Sequence, residues 1–280
     1  MNRSKTSPIV IVGAGAVGTA LAVALHQRHF PLSLIISRRI GPARKLALQV
    51  GAKYGLRTML RRVPKGSIIF LAVPDDEIAR LASSFSSLDL DLSGSVVFHC
   101  SGALTAGVLK PLRRKGASTG SFHPLQTFAG IGRGIGSLEG IWVGLEGDAH
   151  AVATGERIAR GLGARSFTLA PGQKSLYHVA AVFSSNYVVT LLSVVEELGK
   201  RIGLRRKRLV SIFEPILLQT LMNVRVHPAA RALTGPIARG DLRTIRRHRR
   251  ALRSAGLSGI DRLYAVLAGE TSQLAKKRGR

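Results

Sequence analysis

Acidic residues are scarce in this chain: 15 Asp and Glu stand against 42 Lys and Arg, a formal charge of +27 over 280 residues. Such a balance invites nucleic acid, a membrane surface or acidic proteins as partners. The basic clusters are scattered through every segment, however, and aromatic residues make up only 5%. No nucleic-acid motif accompanies them, so the excess is read as charge on solvated faces, with no specific nucleic-acid partner. Cysteine is almost absent. Cys100 alone gives neither a disulfide framework nor a cysteine metal site, and no metal is expected. No stretch is read as reaching the apolar length of a membrane span, and the opening MNRSKTSP lacks an apolar leader core. The expectation is a cytoplasmic protein with no membrane association.

What is present is concentrated near the N-terminus. Pro8 opens the β-branched run Ile9-Val10-Ile11-Val12, long enough for one buried parallel strand. Gly13-Ala14-Gly15-Ala16-Val17-Gly18 follows, and then an Ala-rich apolar segment that reads as helix. Strand, G-x-G-x-x-G and helix form the dinucleotide-binding fingerprint in the context it requires. Gly13 serves the tight turn, Gly15 lets backbone approach a pyrophosphate, and Gly18 lets helix and strand pack closely. Ala16 and Val17 lie in the first helical turn, whose free N–H groups favour phosphate. About twenty residues on, an acid would hold the ribose 2′-hydroxyl of NAD. Here the second strand candidate, Leu32-Ser33-Leu34-Ile35-Ile36, ends in Ser37-Arg38-Arg39. A hydroxyl and two guanidiniums suit a 2′-phosphate, so the cofactor expected is NADP.

The rest of residues 1–170 alternates strand and helix patterns, which gives an α/β fold with a doubly wound parallel sheet. A weak strand is expected near residues 57–60, clear strands at 67–73 and 95–99, a helix over 103–115, and a strand at 118–122. The glycine-rich residues 130–140 read as a mobile loop. Pro171-Gly172 marks the boundary, and residues 171–280 show only helical periodicity, with helices expected over 173–200, 207–223 and two from Asp241 onward. The second domain is expected to be all-α.

Ligands of open parallel sheets bind at the carboxyl ends of the strands. Ala72-Val73-Pro74, His99-Cys100-Ser101 and His123-Pro124 close three of them, so Ala72, Val73, Pro74 and Ser101 join the cofactor candidates and His123 the catalytic ones. His99 follows an apolar run and reads as a core histidine more readily than as a ligand contact. On the first helix after the boundary, Lys174 and His178 share a face at i and i+4. A partly desolvated lysine there would exchange protons near neutrality, and Asn186 would reach a substrate oxygen. The segment from Leu233 to Asp241 reads as a connector with Asp241 as helix N-cap.

The motifs VGAGAVGTAL, FLAVPDDEI, HCSGAL, SFHPLQTF, YHVAAVFSSNY and LTGPIARGD together resemble the 6-phosphogluconate dehydrogenase-like superfamily over nearly the whole chain. Within it the chain is most similar to bacterial Rossmann-like proteins with a C-terminal helical domain of unknown function. The resemblance implies an NADP-linked oxidoreductase with a small polar substrate held between the domains, and a homodimer formed through the helical domain. In hydroxyacid dehydrogenases of the superfamily a Lys and an Asn one turn later handle the substrate oxygen. Lys174 matches that Lys, but His178 stands where the Asn would be. The reading from another class is a non-catalytic NADP-binding sensor or scaffold, and a weaker one is nucleic-acid binding through the basic helices.

Overall fold

The computed structural model describes residues 7–128 and 138–279, so most of the glycine-rich loop expected at 130–140 lies outside the described residues. Eight strands form one sheet: β1 (Ile9–Val12), β2 (Leu32–Ile36), β3 (Lys53–Gly55), β4 (Ile68–Leu71), β5 (Val96–His99), β6 (Ser118–Leu125), β7 (Trp142–Gly147) and β8 (Arg165–Thr168). Their spatial order is 3-2-1-4-5-6-7-8. The chain winds outward in both directions from β1 and β4, and the crevice between these two strands is where such sheets hold ligands.

Side-chain alternation divides the core. Ile9 and Ile11 join Leu21 and Leu25 of α1 (Ala16–Gln27) and Leu46 of α2 (Ile40–Val50) on one face, with Ile158 of α5 (Ala149–Gly161) beyond them. Val10 and Val12 face the other way, toward Ile78, Leu81 and Phe85 of α3 (Asp75–Ser86) and Leu112 of α4 (Lys110–Arg113). Both faces of β1 are fully covered, which is why its sequence is uninterrupted β-branched hydrocarbon.

Several local expectations need correction. The third strand is Lys53–Gly55, and residues 57–60 instead form part of a 3₁₀ turn, Arg57–Arg62. The helix expected over 103–115 is a 3₁₀ turn (Ala106–Leu109) followed by the short α4. β6 runs on through Leu125, so His123 sits inside a strand and not in the loop after one. β7 is antiparallel to β6 within an otherwise parallel sheet.

By packing, the chain falls into two units, Met1–Asn186 and Tyr187–Arg280. Helix α6 (Lys174–Ser184) belongs to the first, although it lies beyond Pro171-Gly172. The long helix expected over 173–200 breaks at Ser185 (φ −131°, ψ −70°), and α7 (Asn186–Arg201) resumes after it. The second unit continues with α8 (Arg206–Val226), α9 (Ala229–Ala232), α10 (Leu242–Ser254) and α11 (Ser258–Lys276). Asp241 caps α10, its carboxylate accepting the Thr244 N–H at 3.0 Å. The expectation that no stretch has the length and composition of a membrane span is also corrected: residues Lys174–Arg201 and Lys207–Val226 meet that test. Among the described residues of the second unit only Gly199, Leu209, Leu252 and Asp261 are buried.

Candidate functional site

The three glycines of the fingerprint do three different jobs. Gly13 has φ +118°, and a Cβ there would collide with the Ala72 carbonyl. A Cβ on Gly18 would collide with the Gly13 carbonyl, so α1 could not close on β1. Gly15, by contrast, has no heavy atom within 4 Å of a Cβ position and an ordinary φ of −84°. Nothing in the fold requires glycine there. A bound group approaching the backbone would.

Gly15 lies on the rim of a crevice of about 210 Å³ whose walls include Gly13, Ser37, Arg38, Arg39, Ala72, Val73 and Pro74. Ala16 and Val17 sit half-buried at the start of α1, and Gly18 is buried beneath them. Arg57 also lines the crevice. The sequence reading missed it. Its Nη2 bonds Glu77 Oε2 at 2.6 Å, and that ion pair, with the Arg38 charge nearby, holds the Glu77 carboxyl below its ordinary range. The only signal was an arginine two residues past a glycine-ended strand. The open backbone at Gly15, the helix start and the arginines fit the pyrophosphate and 2′-phosphate of NADP. Ser101 does not line this crevice. Its hydroxyl donates to Asp75 Oδ2 at 2.7 Å and accepts the N–H groups of Ala103 and Leu104, locking the loop after β5.

A second cluster forms where α6 crosses the loop after β5 and the body of β6. Lys174 is only 1% exposed, and its Nζ donates to the Ser101 carbonyl oxygen at 2.8 Å and to the Ser121 hydroxyl. Burial pushes its ammonium down to about 8, against the opposing pull of Glu146. His99 is fully buried, its Nδ1 accepting the Ser101 N–H at 3.2 Å, and burial lowers it to about 3. His99 is thus a core histidine.

His123 Nδ1 and the Tyr177 hydroxyl share a hydrogen bond of 2.7 Å. Burial, assisted by the Lys174 charge, pushes His123 down to about 4, and burial pushes the Tyr177 phenol up to about 12. The His178 ring lies 6.1 Å from that of His123, edge to face. Gly102 makes this possible, since a Cβ there would lie 2.5 Å from His178 Cδ2 and 2.9 Å from His123 Nε2. Both histidines, Tyr177 and Asn186 line a cavity of about 740 Å³ within the first unit. Asn186 Oδ1 accepts the Ser185 hydroxyl at 3.0 Å. The structure therefore gathers His123, His178 and Asn186 on one cavity, adds Tyr177, and puts Lys174 beneath its neighbouring loop.

Residues 2–124 match the family model of a Rossmann-like domain. Residues 141–271 match a domain of unknown function, DUF2520. No protein of curated function matches the sequence. Among solved structures, the chain is similar to a candidate NADP oxidoreductase from Bacteroides fragilis, at 27% identity and a TM-score of 0.78, over 95% of this chain and 98% of that one. A Thermotoga maritima protein is similar at 26% identity and a TM-score of 0.73, over 97% and 100%. A reductive aminase from Aspergillus terreus, solved with NADPH, shares the fold at 17% identity and a TM-score of 0.67, over 97% and 94%.

Proposed function

We propose that this protein is an NADP-dependent oxidoreductase of the 6-phosphogluconate dehydrogenase-like superfamily, acting on a small substrate held in the His123–His178 cavity. The observation that carries the reading is Gly15, open on the crevice that Arg38, Arg39 and Arg57 also line. The likeness to the Bacteroides fragilis protein supports it. Residues 13–18 would hold the pyrophosphate, and Ser37, Arg38, Arg39 and Arg57 the 2′-phosphate. Bound NADP supplies the hydride chemistry.

The chain's own residues supply the rest. A carbonyl or imine being reduced needs a proton donor, and its reverse a base, within hydrogen-bond reach. The Tyr177 hydroxyl stays protonated through neutral pH and is held by His123 Nδ1. His178 and Asn186 line the same cavity and would orient the reacting oxygen or nitrogen. The burial of Lys174 supports a positioning role: its ammonium ties the Ser101 carbonyl to β6 and so fixes Gly102, the floor beneath both histidines.

The poor burial within the second unit supports a homodimer. Leu217, Leu218, Leu221 and Met222 of α8 are exposed, more apolar surface than a lone soluble unit leaves open. A second copy would cover it, in keeping with a cytoplasmic protein.

The test is Gly15→Val. NADPH binding should fall at least tenfold while the melting temperature drops by only about 2–4 °C, because Val is a poorer helix N-cap than Gly but its side chain meets no protein atom. Undiminished NADPH binding would overturn the reading.

A further inference from the structure

We infer that the substrate is an uncharged carbonyl compound, or its imine, with an apolar body and no carboxylate; the inference rests on the reading above. The walls of the 740 Å³ cavity carry it. Leu125, Ala180, Ala181 and Val182 supply aliphatic surface, and the rings of Phe167, Tyr177, His123 and His178 run edge to face at 5.6, 5.5 and 6.1 Å between neighbours. The remaining lining groups are neutral: Gln126, Thr127, Ser184, Ser185 and Asn186.

Among the described lining residues there is no Asp, Glu, Lys or Arg, in a chain with 42 Lys and Arg. The two titratable groups whose shifts are large move away from charge at neutral pH, His123 downward and Tyr177 upward. Lys174 is the nearby ammonium, and its known donations go to Ser101 and Ser121 behind the wall. A carboxylate brought here would lose water without gaining a guanidinium or ammonium partner, which costs more than neutral donors return. A ring-bearing ketone would lose little and gain the aromatic wall.

The inference is tested on the full chain with two probes of the same ring and spacing, 4-phenylbutan-2-one and 2-oxo-4-phenylbutanoate. Each is titrated into protein saturated with NADPH and followed by saturation-transfer NMR. The ketone should bind at least tenfold tighter than the keto acid. In Ala181→Arg the order should reverse, since the new guanidinium supplies the missing partner. Tighter binding of the keto acid to wild type, or binding of neither probe, overturns the substrate class while NADPH binding stands. Failure of NADPH itself to bind overturns the underlying reading and the inference with it.

Discussion

Lys174 reaches across 73 residues of sequence to donate a 2.8 Å hydrogen bond to the carbonyl oxygen of Ser101. That bond, with the one to Ser121, joins α6 to the loop after β5 and to the middle of β6, and sets the loop on which the cavity rests. Its lowered pKa gives it a distinctive pH signature. A lysine titrating near 8 when folded and near 10.5 when unfolded leaves the unfolded state holding more protons between those values. Stability therefore rises with pH across that window, by up to about 3 kcal/mol for this group. Below pH 8 both states are charged and the burial cost is felt in full. Melting curves from pH 7 to 10.5 should show wild type gaining on Lys174→Met. A constant gap would contradict a buried ammonium.

His123 gives the acid-side counterpart. Its folded pKa near 4 lies below the ordinary 6.5, so the unfolded state binds more protons between the two. Stability from this site is complete above pH 6.5 and is lost as pH falls toward 4. NMR titration should find the His123 ring neutral at pH 5.5, and His123→Gln should lose less stability than wild type between pH 6.5 and 4.5.

Gly102 is the position where one carbon atom matters most. Gly102→Ala places a methyl 2.5 Å from His178 and 2.9 Å from His123. The overpacking should cost about 1–3 kcal/mol. Displacement of both rings should also abolish probe binding in the cavity while NADPH binding survives. A variant with wild-type probe affinity would show that the rings do not shape the site.

Much of the fold was legible because it rests on local rules. The Gly13, Gly15 and Gly18 spacing, the buried run of β1 and the Asp241 cap each state their roles within a few residues. Most of what escaped depends on partners distant in sequence. The end of α6 falls in Ser184-Ser185-Asn186, a short polar run whose hydroxyls bond the preceding turn, and the apolar pattern on both sides hides it. Lys174 and His178 do share a helix, yet one is sealed against Ser101 and Ser121 and the other faces the cavity. Arg57 reaches the crevice only because β3 lies beside β2. Tyr177 was passed over because an aromatic on an apolar helix reads as core until its hydroxyl is seen against His123.

The central claim is that the crevice at β1 and β4 holds NADP and selects it through its 2′-phosphate. The direct measurement is a titration of wild type and Arg38→Ala with NADPH and with NADH, followed by nicotinamide fluorescence. Wild type should bind NADPH at least tenfold more tightly than NADH, and Arg38→Ala should remove about tenfold of that preference while leaving NADH unchanged. Equal affinity for the two dinucleotides, or binding of neither, would contradict the account.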